Sequence, residues 1–319
     1  MHEFYLIKNY FSKLTRNNKS ALNLNDDVFF DKKKELVISV DTYNEGIHFL
    51  NFNKPYLVIK KILRATISDL ICKGVKPKYY FISGSGNKKT FSIKKLKDLT
   101  KSLLEEQKKY NIKLCGGDTT FSKKLSFSIT VIGFSKTIIF RNNTKINDDI
   151  YVTGNIGDSF VGLNVINKKI NLKRDLNNYF LDKYYKPDIQ IKLVEKFLKF
   201  SNSSIDISDG LFADLEKMIN NQNVNYEIHI DKVPISKQME MLLKKHQFQK
   251  IKMISNGDDY QILFTATKNK SRIIRLISKK LNLKITKIGK ILSSSHKSSI
   301  IDQKGRVLRV NNKGYVHQF

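Results

Sequence analysis

The stretch Ser203-Ser204-Ile205-Asp206-Ile207-Ser208-Asp209-Gly210-Leu211 combines a strand, an acidic turn and the start of a helix. Its residues 203–207 predict a strand, and the apolar spacing that follows predicts a helix over 210–221. The turn carries Asp206, Ser208 and Asp209, which are residue types common in turns and at helix N-caps. A strand that leads directly into a helix is typical of α/β proteins.

The same alternation of strand and helix signals extends in both directions from this stretch. Further strands are predicted at 36–41, 78–85, 125–134, 150–154, 226–230, 259–266 and 284–291, and further helices at 56–74, 93–110, 157–167, 187–200, 236–246 and 269–281. We therefore expect an α/β (α+β) protein. A polar segment near 140–149 divides the signals into two series, so we predict one domain over 1–143 and a second over 144–319.

The composition is that of a folded protein with a strong excess of basic residues. The 319 residues carry a formal net charge of +29, which comes mostly from Lys doublets and triplets scattered along the chain. A solvated Lys surface is the simplest interpretation. The alternative is a nucleic-acid-binding protein, whose binding would depend steeply on salt. That alternative gives no reason for the ordered aspartates described below, so we expect no nucleic-acid partner.

Other function classes find little support in the sequence. No apolar run is long enough to span a bilayer, and the first residues lack the pattern of a signal peptide, so we expect a cytoplasmic protein with no membrane partner. Cys72 and Cys115 lack metal-ligand spacing and are expected to be reduced and partly buried. Six scattered histidines argue against a zinc site.

Aspartates recur at the predicted ends of strands and starts of helices, and one lies towards the end of a helix. They are Asp26, Asp27, Asp41, Asp69, Asp118, Asp206 and Asp209. Each alone could be an ordinary turn residue or helix cap. Carboxylates gathered in one cleft repel one another unless cations lie between them, and Mg²⁺ takes oxygen ligands and bridges carboxylates to nucleotide phosphates. Together the aspartates therefore predict a magnesium site.

The turn Gly116-Gly117-Asp118-Thr119-Thr120 has a composition that suits phosphate binding. Its glycines let backbone N–H groups approach a phosphate closely. The chain has no P-loop, and Gly154 with Gly157 is too short a pattern for a dinucleotide-binding fingerprint. The paired motifs of protein kinases are also absent.

With these motifs in order, the chain resembles the thiamine-monophosphate kinase family, whose superfamily includes aminoimidazole-ribonucleotide synthetase and selenophosphate synthetase. The motifs that carry the resemblance are DT-x-x-EG-x-HF at 41–49, SDL at 68–70, GGDTT at 116–120, YVTG-x-x-GDS at 151–159, IDISDGL at 205–211 and GDDY at 257–260. The resemblance implies direct transfer of the γ-phosphoryl group of ATP to thiamine monophosphate. It also implies a homodimer in which N-terminal strands form a shared barrel and each subunit adds a C-terminal α/β domain.

The resemblance further assigns roles to particular residues. The implied metal positions are Asp27, Ser39, Val40 (through its backbone), Asp41, Asp69, Asp118, Asp206 and Asp209. The implied ATP contacts are Gly117, Asp118, Arg141 and Ser208, and the implied substrate contacts are His48, Asp258 and Asn312. Asp41, Asp69, Asp118 and Asp209 are the residues whose loss we expect to abolish turnover. Asn312 replaces a frequent aromatic residue that could stack on the thiamine ring; Tyr315 or Phe319 is a candidate replacement.

Two related alternatives stay open from the sequence. One is another ATP-dependent superfamily member with a different acceptor, although the segment after Asp41 favours the thiamine enzymes. Selenophosphate synthetase in particular would need a reactive Cys in an N-terminal Gly-rich loop, where this chain has none. The other is an inactive, ligand-binding relative, against which the intact aspartates argue.

Overall fold

Two sheets of six strands, one in each half of the chain, form the framework of the computed structural model, which describes residues 2–246 and 249–318. The N-terminal elements are α1 (Glu3–Leu6), β1 (Phe29–Asp31), β2 (Leu36–Asn44), α2 (Pro55–Cys72), β3 (Pro77–Gly86), α3 (Ile93–Tyr110), β4 (Lys113–Gly116), β5 (Thr119–Phe121) and β6 (Ser126–Phe134). Their strand order is β1-β2-β6-β3-β4, with β5 also paired to β3. The β1, β2, β6 and β3 pairings are antiparallel, whereas β4 and β5 run parallel to β3.

The second sheet and its helices follow along the chain. They are β7 (Asp149–Thr153), α4 (Asp158–Ile166), α5 (Arg174–Tyr185), α6 (Val194–Phe197), β8 (Ser203–Asp206), α7 (Leu211–Ile219), β9 (Val224–His229), α8 (Lys237–His246), α9 (Lys250–Ile254), β10 (Ile262–Ala266), α10 (Ser271–Leu281), β11 (Ile285–Ser293) and β12 (Ser299–Ile301). The strand order is β12-β9-β11-β7-β10-β8. Only the β12–β9 pairing among these is parallel.

Helix α2 joins the two halves. Pro55 stands at its first turn, where the missing N–H costs nothing, and Gly74 ends it with φ +75°. Nearly all of its residues are buried, because it packs against β2 and β6 on one side, α3 on another, and β8 and α5 of the second half. The helix therefore carries its side chains into the region between the two sheets.

The outer face of the N-terminal sheet is left uncovered. Side chains alternate across strands β2 and β6, so Val37 and Ile129 are buried under α2 while Val40 and Phe134 face outward. Phe81 of β3 lies on the same outer face, since it pairs with the outward residue Thr130. This face carries several exposed apolar side chains.

Most of the strongly periodic elements match their predictions, and the helix predicted at 93–110 has those bounds. The helix predicted at 187–200 is wrong. Pro187 disfavours a helical residue before it, so α5 ends at Tyr185, and residues 191–197 form only a short turn and α6. The strand predicted at 259–266 begins later, because Asp258 and Tyr260 have positive φ values of 67° and 50°.

Two predictions about individual residues also need correction. Cys72 is buried but Cys115 is exposed. Lys60, Lys61 and Lys73 are buried, so these lysines do not belong to a solvated surface. The N-terminal sheet ends at Phe134 and the second sheet begins at Asp149; the domain division at 143/144 stays a prediction. None of the described helices is both long and apolar enough to cross a membrane.

Candidate active site

A cleft of about 1000 Å³ opens between the two halves of the chain. The predicted site residues that line it are Asp27, Ser39, Val40, Asp41, His48, Asp69, Arg141, Asp206, Ser208, Asp209 and Asp258. They come from β2, α2, the end of β8 and five loops, which precede β1 and β10 and follow β2, β6 and β8. The fold therefore brings most of the predicted residues into one cavity.

Three predicted residues do not line the cleft. Gly117 and Asp118 lie in the exposed turn between β4 and β5. A Cβ atom on Gly117 would lie 1.8 Å from the carbonyl oxygen of Ile82, so glycine is required there by close packing on β3. Asn312 is exposed, and its side-chain oxygen accepts a hydrogen bond from the N–H of Gly314.

Near Asn312, one aromatic candidate does reach the cavity. Tyr315 lines the cleft, and its N–H donates to the carbonyl oxygen of Asp209 over 3.0 Å. Phe319, the other candidate, lies outside the described residues.

Three carboxylates in the cleft have hydroxyl donors but no cation beside them. Asp41 accepts from the Tyr43 hydroxyl at 2.8 Å, Asp69 from Ser39 at 2.5 Å and Asp206 from Ser68 at 2.7 Å. Within the described residues, none of the three is within 4 Å of a Lys or Arg nitrogen.

Burial has a consequence for the protonation of these three groups. Loss of hydration raises the pKa of Asp41, Asp69 and Asp206, to about 6 for Asp206, and mutual repulsion raises the pKa of Asp69 further. Three close carboxylates that resist ionisation are an arrangement that a bound cation would relieve.

A second acidic pair in the same cleft has cations of its own. The ammonium group of Lys73 lies 2.8 Å from Asp26 and 2.7 Å from Asp27. Arg141 also contacts the Asp27 carboxylate, through Nη2 and through Nε at 3.2 Å. The predicted metal ligand Asp27 is therefore paired with two basic side chains.

In the turn before α7, two N–H groups already have an internal acceptor. The backbone N–H groups of Asp209 and Gly210 both donate to the Asp214 carboxylate at 3.0 Å. Lys217 pairs with Asp209 and lies 2.9 Å from Asp214. The Asp214 carboxylate therefore lies at the start of α7 and accepts both of these N–H groups.

The acidic turn at 257–260 packs directly against the turn at 206–210. A Cβ atom on Gly257 would lie 1.8 Å from the carbonyl oxygen of Ser208, so only glycine fits there. Asp258 donates its N–H to that same oxygen at 2.8 Å, and its carboxylate lies 2.7 Å from Lys61.

His48 also lines the cleft, and its Nδ1 accepts from the N–H of Asn44 at 3.0 Å. Burial lowers the pKa of His48, and the nearby charges of His317 and Lys61 lower it further. The ring is therefore neutral near pH 7.

Sequence reasoning missed several residues at this site. They are Lys61, Lys73, Lys217, Tyr260, His317 and the N-terminal residues Glu3, Phe4, Ile7 and Lys8. A signal was available for two of them. Positions 61, 65, 69 and 73 follow the four-residue spacing that places side chains on one helix face, and Asp69 belongs to that row.

The donor set can be tested for the kind of metal it fits. Ligand atoms of Asp27, Cys72 and Asp206 lie within 4.8 Å of one another. Burial raises the pKa of the Cys72 thiol, which keeps it protonated and a poor ligand. Without the thiol, this group keeps only the carboxylates of Asp27 and Asp206. Asp69 also interacts electrostatically with Asp41 and Asp206, and an all-oxygen carboxylate set of this kind fits Mg²⁺.

Comparison with known proteins adds independent findings. A family model described as AIR synthase related protein, N-terminal domain, matches residues 24–135. The chain is 32% identical to the thiamine-monophosphate kinase of Buchnera aphidicola subsp. Acyrthosiphon pisum (strain APS) over 327 residues, covering 99% of this chain and 98% of that protein. It is 27% identical to the thiamine-monophosphate kinase of Bacillus subtilis (strain 168), covering 99% of both.

Solved structures show the same relationship. A structure described as AaThiL complexed with AMPPCP and TMP has a TM-score of 0.85 at 26% identity, covering 99% of this chain and 97% of that chain. Hydrogenase maturation protein HypE in complex with ATP has a TM-score of 0.68 at 15% identity and covers 97% of this chain and 96% of that chain, a likeness of fold. The predicted α/β (α+β) fold class is thereby confirmed.

Proposed function

Because the chain belongs to the thiamine-monophosphate kinase family, we infer that its cleft binds ATP and thiamine monophosphate and forms thiamine diphosphate and ADP. The observation that carries this inference is the group Asp41, Asp69 and Asp206 in a cavity of about 1000 Å³, three carboxylates that no Lys or Arg of the described residues pairs with. The family assignment also removes the alternative of a superfamily member with another acceptor.

Catalysis of this reaction depends on positioning the two substrates more than on covalent chemistry by protein side chains. A phosphate oxygen of thiamine monophosphate forms a bond to the γ-phosphorus of ATP, while the bond from that phosphorus to the β,γ-bridging oxygen breaks and ADP leaves. Two anionic substrates must approach each other, so the walls of the cleft have to neutralise charge and fix the two phosphate groups in line. No side-chain nucleophile is needed.

We propose that several Mg²⁺ ions supply this neutralisation when bound. Asp41, Asp69 and Asp206 are the first candidates for ligands, and they are joined by the Ser39 hydroxyl, the Val40 carbonyl, Asp118 and Asp209. Asp27 is a weaker candidate than the sequence indicated, because both of its oxygens already contact Lys73 and Arg141.

The same proposal gives the remaining predicted residues their roles. Arg141 and Ser208 face the cleft and are proposed to contact ATP, with Gly117. His48 and Asp258 are proposed to contact thiamine monophosphate. Tyr315, which lines the cleft where Asn312 does not, is the proposed aromatic partner of the thiamine ring.

We further propose a homodimer formed by the outer face of the N-terminal sheet. Val40, Phe81 and Phe134 are 62%, 37% and 47% exposed on that face, a pattern that suits a partner of the same kind. The turn with Gly117 and Asp118 lies at an edge of this sheet, so a second copy is the proposed means by which these residues reach an active site. We expect the enzyme in the cytoplasm, because that compartment supplies ATP.

A turnover assay tests the function. Purified protein is given ATP, Mg²⁺ and thiamine monophosphate, and the products are separated by chromatography. We expect thiamine diphosphate from the wild type and from Asp182→Asn, an exposed aspartate on α5, but not from Asp41→Asn or Asp69→Asn. Wild-type protein that binds ATP with Mg²⁺ and makes no thiamine diphosphate would contradict the proposed acceptor.

A further inference from the structure

Lys73 places a positive charge inside the acidic cleft region, with no exposure to solvent. Its Nζ lies 2.8 Å from Asp26 Oδ1, 2.7 Å from Asp27 Oδ2 and 2.7 Å from the carbonyl oxygen of Ser204. An ammonium group has three N–H donors, and here three oxygens from three residues surround it. The nitrogen therefore occupies an oxygen-lined position of the kind that a small cation takes.

The Asp26–Asp27 pair is fully satisfied by the protein. Asp26 also accepts from the N–H of Asp27 at 2.8 Å and from the N–H of Arg141 at 3.0 Å. Asp27 uses its second oxygen for the Arg141 guanidinium. Two carboxylates face two basic side chains, so this end of the cleft carries no net charge.

The other end of the acidic group is different. Asp41, Asp69 and Asp206 accept hydrogen bonds from the hydroxyl groups of Tyr43, Ser39 and Ser68, and in the described part of the chain no Lys or Arg nitrogen lies within 4 Å of these carboxylates. Hydroxyl donors bring no charge, so these three carboxylates still require a cation. The carboxylates of the cleft therefore form two groups: a pair whose negative charge is neutralised by Lys73 and Arg141, and a triad whose negative charge is not neutralised by a basic side chain.

Helix geometry explains how a lysine can do this. Asp69 and Lys73 are four residues apart on α2, so both side chains leave the same helix face. Lys73 stands immediately before Gly74, whose φ of +75° ends the helix beside the Asp26–Asp27 turn. The Lys73 side chain is thereby held at the end of a rigid helix. Unlike a bound ion, its ammonium group is covalently attached and cannot leave the site.

We propose that the Lys73 ammonium is a built-in cation that takes the place of a divalent ion at Asp26–Asp27, so that no metal ion binds at this pair and the Asp41–Asp69–Asp206 triad is left to bind metal. This inference rests on the proposed use of Mg²⁺ in the cleft. It implies that the protein binds fewer metal ions than its number of cleft carboxylates indicates, because the Lys73 ammonium fills one of the positions.

The test counts Mn²⁺ ions bound per chain, measured from the electron paramagnetic resonance signal of free Mn²⁺ with AMPPCP present. Lys73→Met removes the charge and keeps an unbranched side chain, and Lys73→Arg keeps the charge. We expect about one more Mn²⁺ per chain in Lys73→Met than in the wild type, and no gain in Lys73→Arg. Equal counts in all three proteins would overturn the proposal.

Two further measurements keep the result decisive. If Lys73→Met is unfolded without metal, Mg²⁺ must restore its cooperative unfolding transition, and failure to do so overturns the proposal. The single variant Asp27→Asn should bind as many Mn²⁺ ions per chain as the wild type, because the proposal places no metal ion at Asp27. If Asp27→Asn binds one ion fewer, the proposal is overturned. A wild type that binds no Mn²⁺ would instead contradict the proposed function, since the inference concerns only the difference between variants.

Discussion

The ammonium group of Lys61 lies 2.7 Å from Oδ1 of Asp258 and 3.9 Å from the ring centroid of Tyr184. The two charged residues come from different halves of the chain, one from α2 and the other from the turn before β10. Their side chains are 2% and 27% exposed, respectively. The Tyr260 hydroxyl donates to the same oxygen of Asp258 at 3.1 Å. This pair connects the two halves behind the cleft wall.

The unequal burial of this pair predicts unequal effects of removing each partner. Asp258→Asn leaves a buried ammonium without a counter-charge, which costs about 3–5 kcal/mol of the free energy of unfolding. Lys61→Met should cost less, because water can reach the carboxylate that remains. Urea unfolding followed by fluorescence or circular dichroism measures both, and the double variant should be more stable than Asp258→Asn.

The pH dependence of Asp258→Asn follows from the same lysine. Burial lowers the pKa of Lys61, and removal of the carboxylate lowers it further. The folded variant then binds fewer protons than the unfolded chain, so its stability should rise as the pH increases toward about 10. Lys60→Met is the matched control for Lys61→Met. Lys60 lies on the same helix but pairs with Glu105 and Glu106 instead of Asp258. A cost for Lys61→Met equal to that of Asp258→Asn would contradict this explanation.

A second prediction concerns Mg²⁺ and pH. Burial raises the pKa of Asp206 to about 6, so between its ordinary value and pH 6 the folded state holds a proton that the unfolded chain has lost. The metal-free protein should therefore lose stability as the pH rises through this window. Mg²⁺ binds the ionised carboxylates, so it should raise the unfolding temperature at pH 8 and have no effect at pH 4.

Differential scanning calorimetry with and without Mg²⁺ checks this prediction. At about a hundred times the dissociation constant the ion should contribute about 2.7 kcal/mol, a shift of several degrees. Asp41→Asn should lose most of the Mg²⁺ effect, and Asp182→Asn should keep it. An equal Mg²⁺ effect at pH 4 and pH 8 would show that the ion binds elsewhere.

Sequence reasoning located the carboxylates for a physical reason. Asp206 ends β8, Asp41 lies within β2, which continues beyond the predicted strand to Asn44, and Asp69 lies in a helix whose apolar spacing is clear. Local patterns therefore fix the positions of these three residues in the fold. The prediction failed where the decisive contact lies far along the chain. Lys61 and Lys73 look like ordinary surface lysines until Asp258 and Asp26 come beside them.

Secondary structure shows the same limit. Helix α5 (Arg174–Tyr185) is polar and has only a short apolar stripe, because Phe180, Tyr184 and Tyr185 are its buried residues. Its contacts with α4 stabilise the helix beyond its weak local pattern.

Asp118 and Gly117 were predicted from their motif to share the cleft, yet local sequence cannot tell whether residues meet within one chain or across two.

The outer face of the N-terminal sheet gives a prediction about assembly. Phe134→Glu places a charge on the proposed interface, where burial without a partner is costly, so the variant should be monomeric. Leu276→Glu changes an apolar side chain of similar exposure on α10 and should remain dimeric. Light scattering coupled to size-exclusion chromatography measures the mass. A wild-type monomer, or a dimer unaffected by Phe134→Glu, would exclude this interface.

The position of Asp118 leads to a prediction about which chain it serves. Asp118 is exposed at the β4–β5 turn and does not line the cleft of its own chain, whereas Asp41 does. If Asp118 completes the active site of a second copy, an inactive Asp118→Asn chain and an inactive Asp41→Asn chain can form one intact site together. That site takes Asp41 from the first chain and Asp118 from the second.

Mixing the two variants tests this arrangement. After subunit exchange about half of the dimers are mixed, and each mixed dimer has one intact site of two, so about a quarter of the wild-type activity should return. The matched control mixes Asp41→Asn with Asp69→Asn, two residues of the same cleft, and should stay inactive because no chain supplies both carboxylates. If the first mixture also stays inactive although mixed dimers form, Asp118 does not act across the interface. The β4–β5 turn would then have to move to its own cleft, against the packing of Gly117 on Ile82.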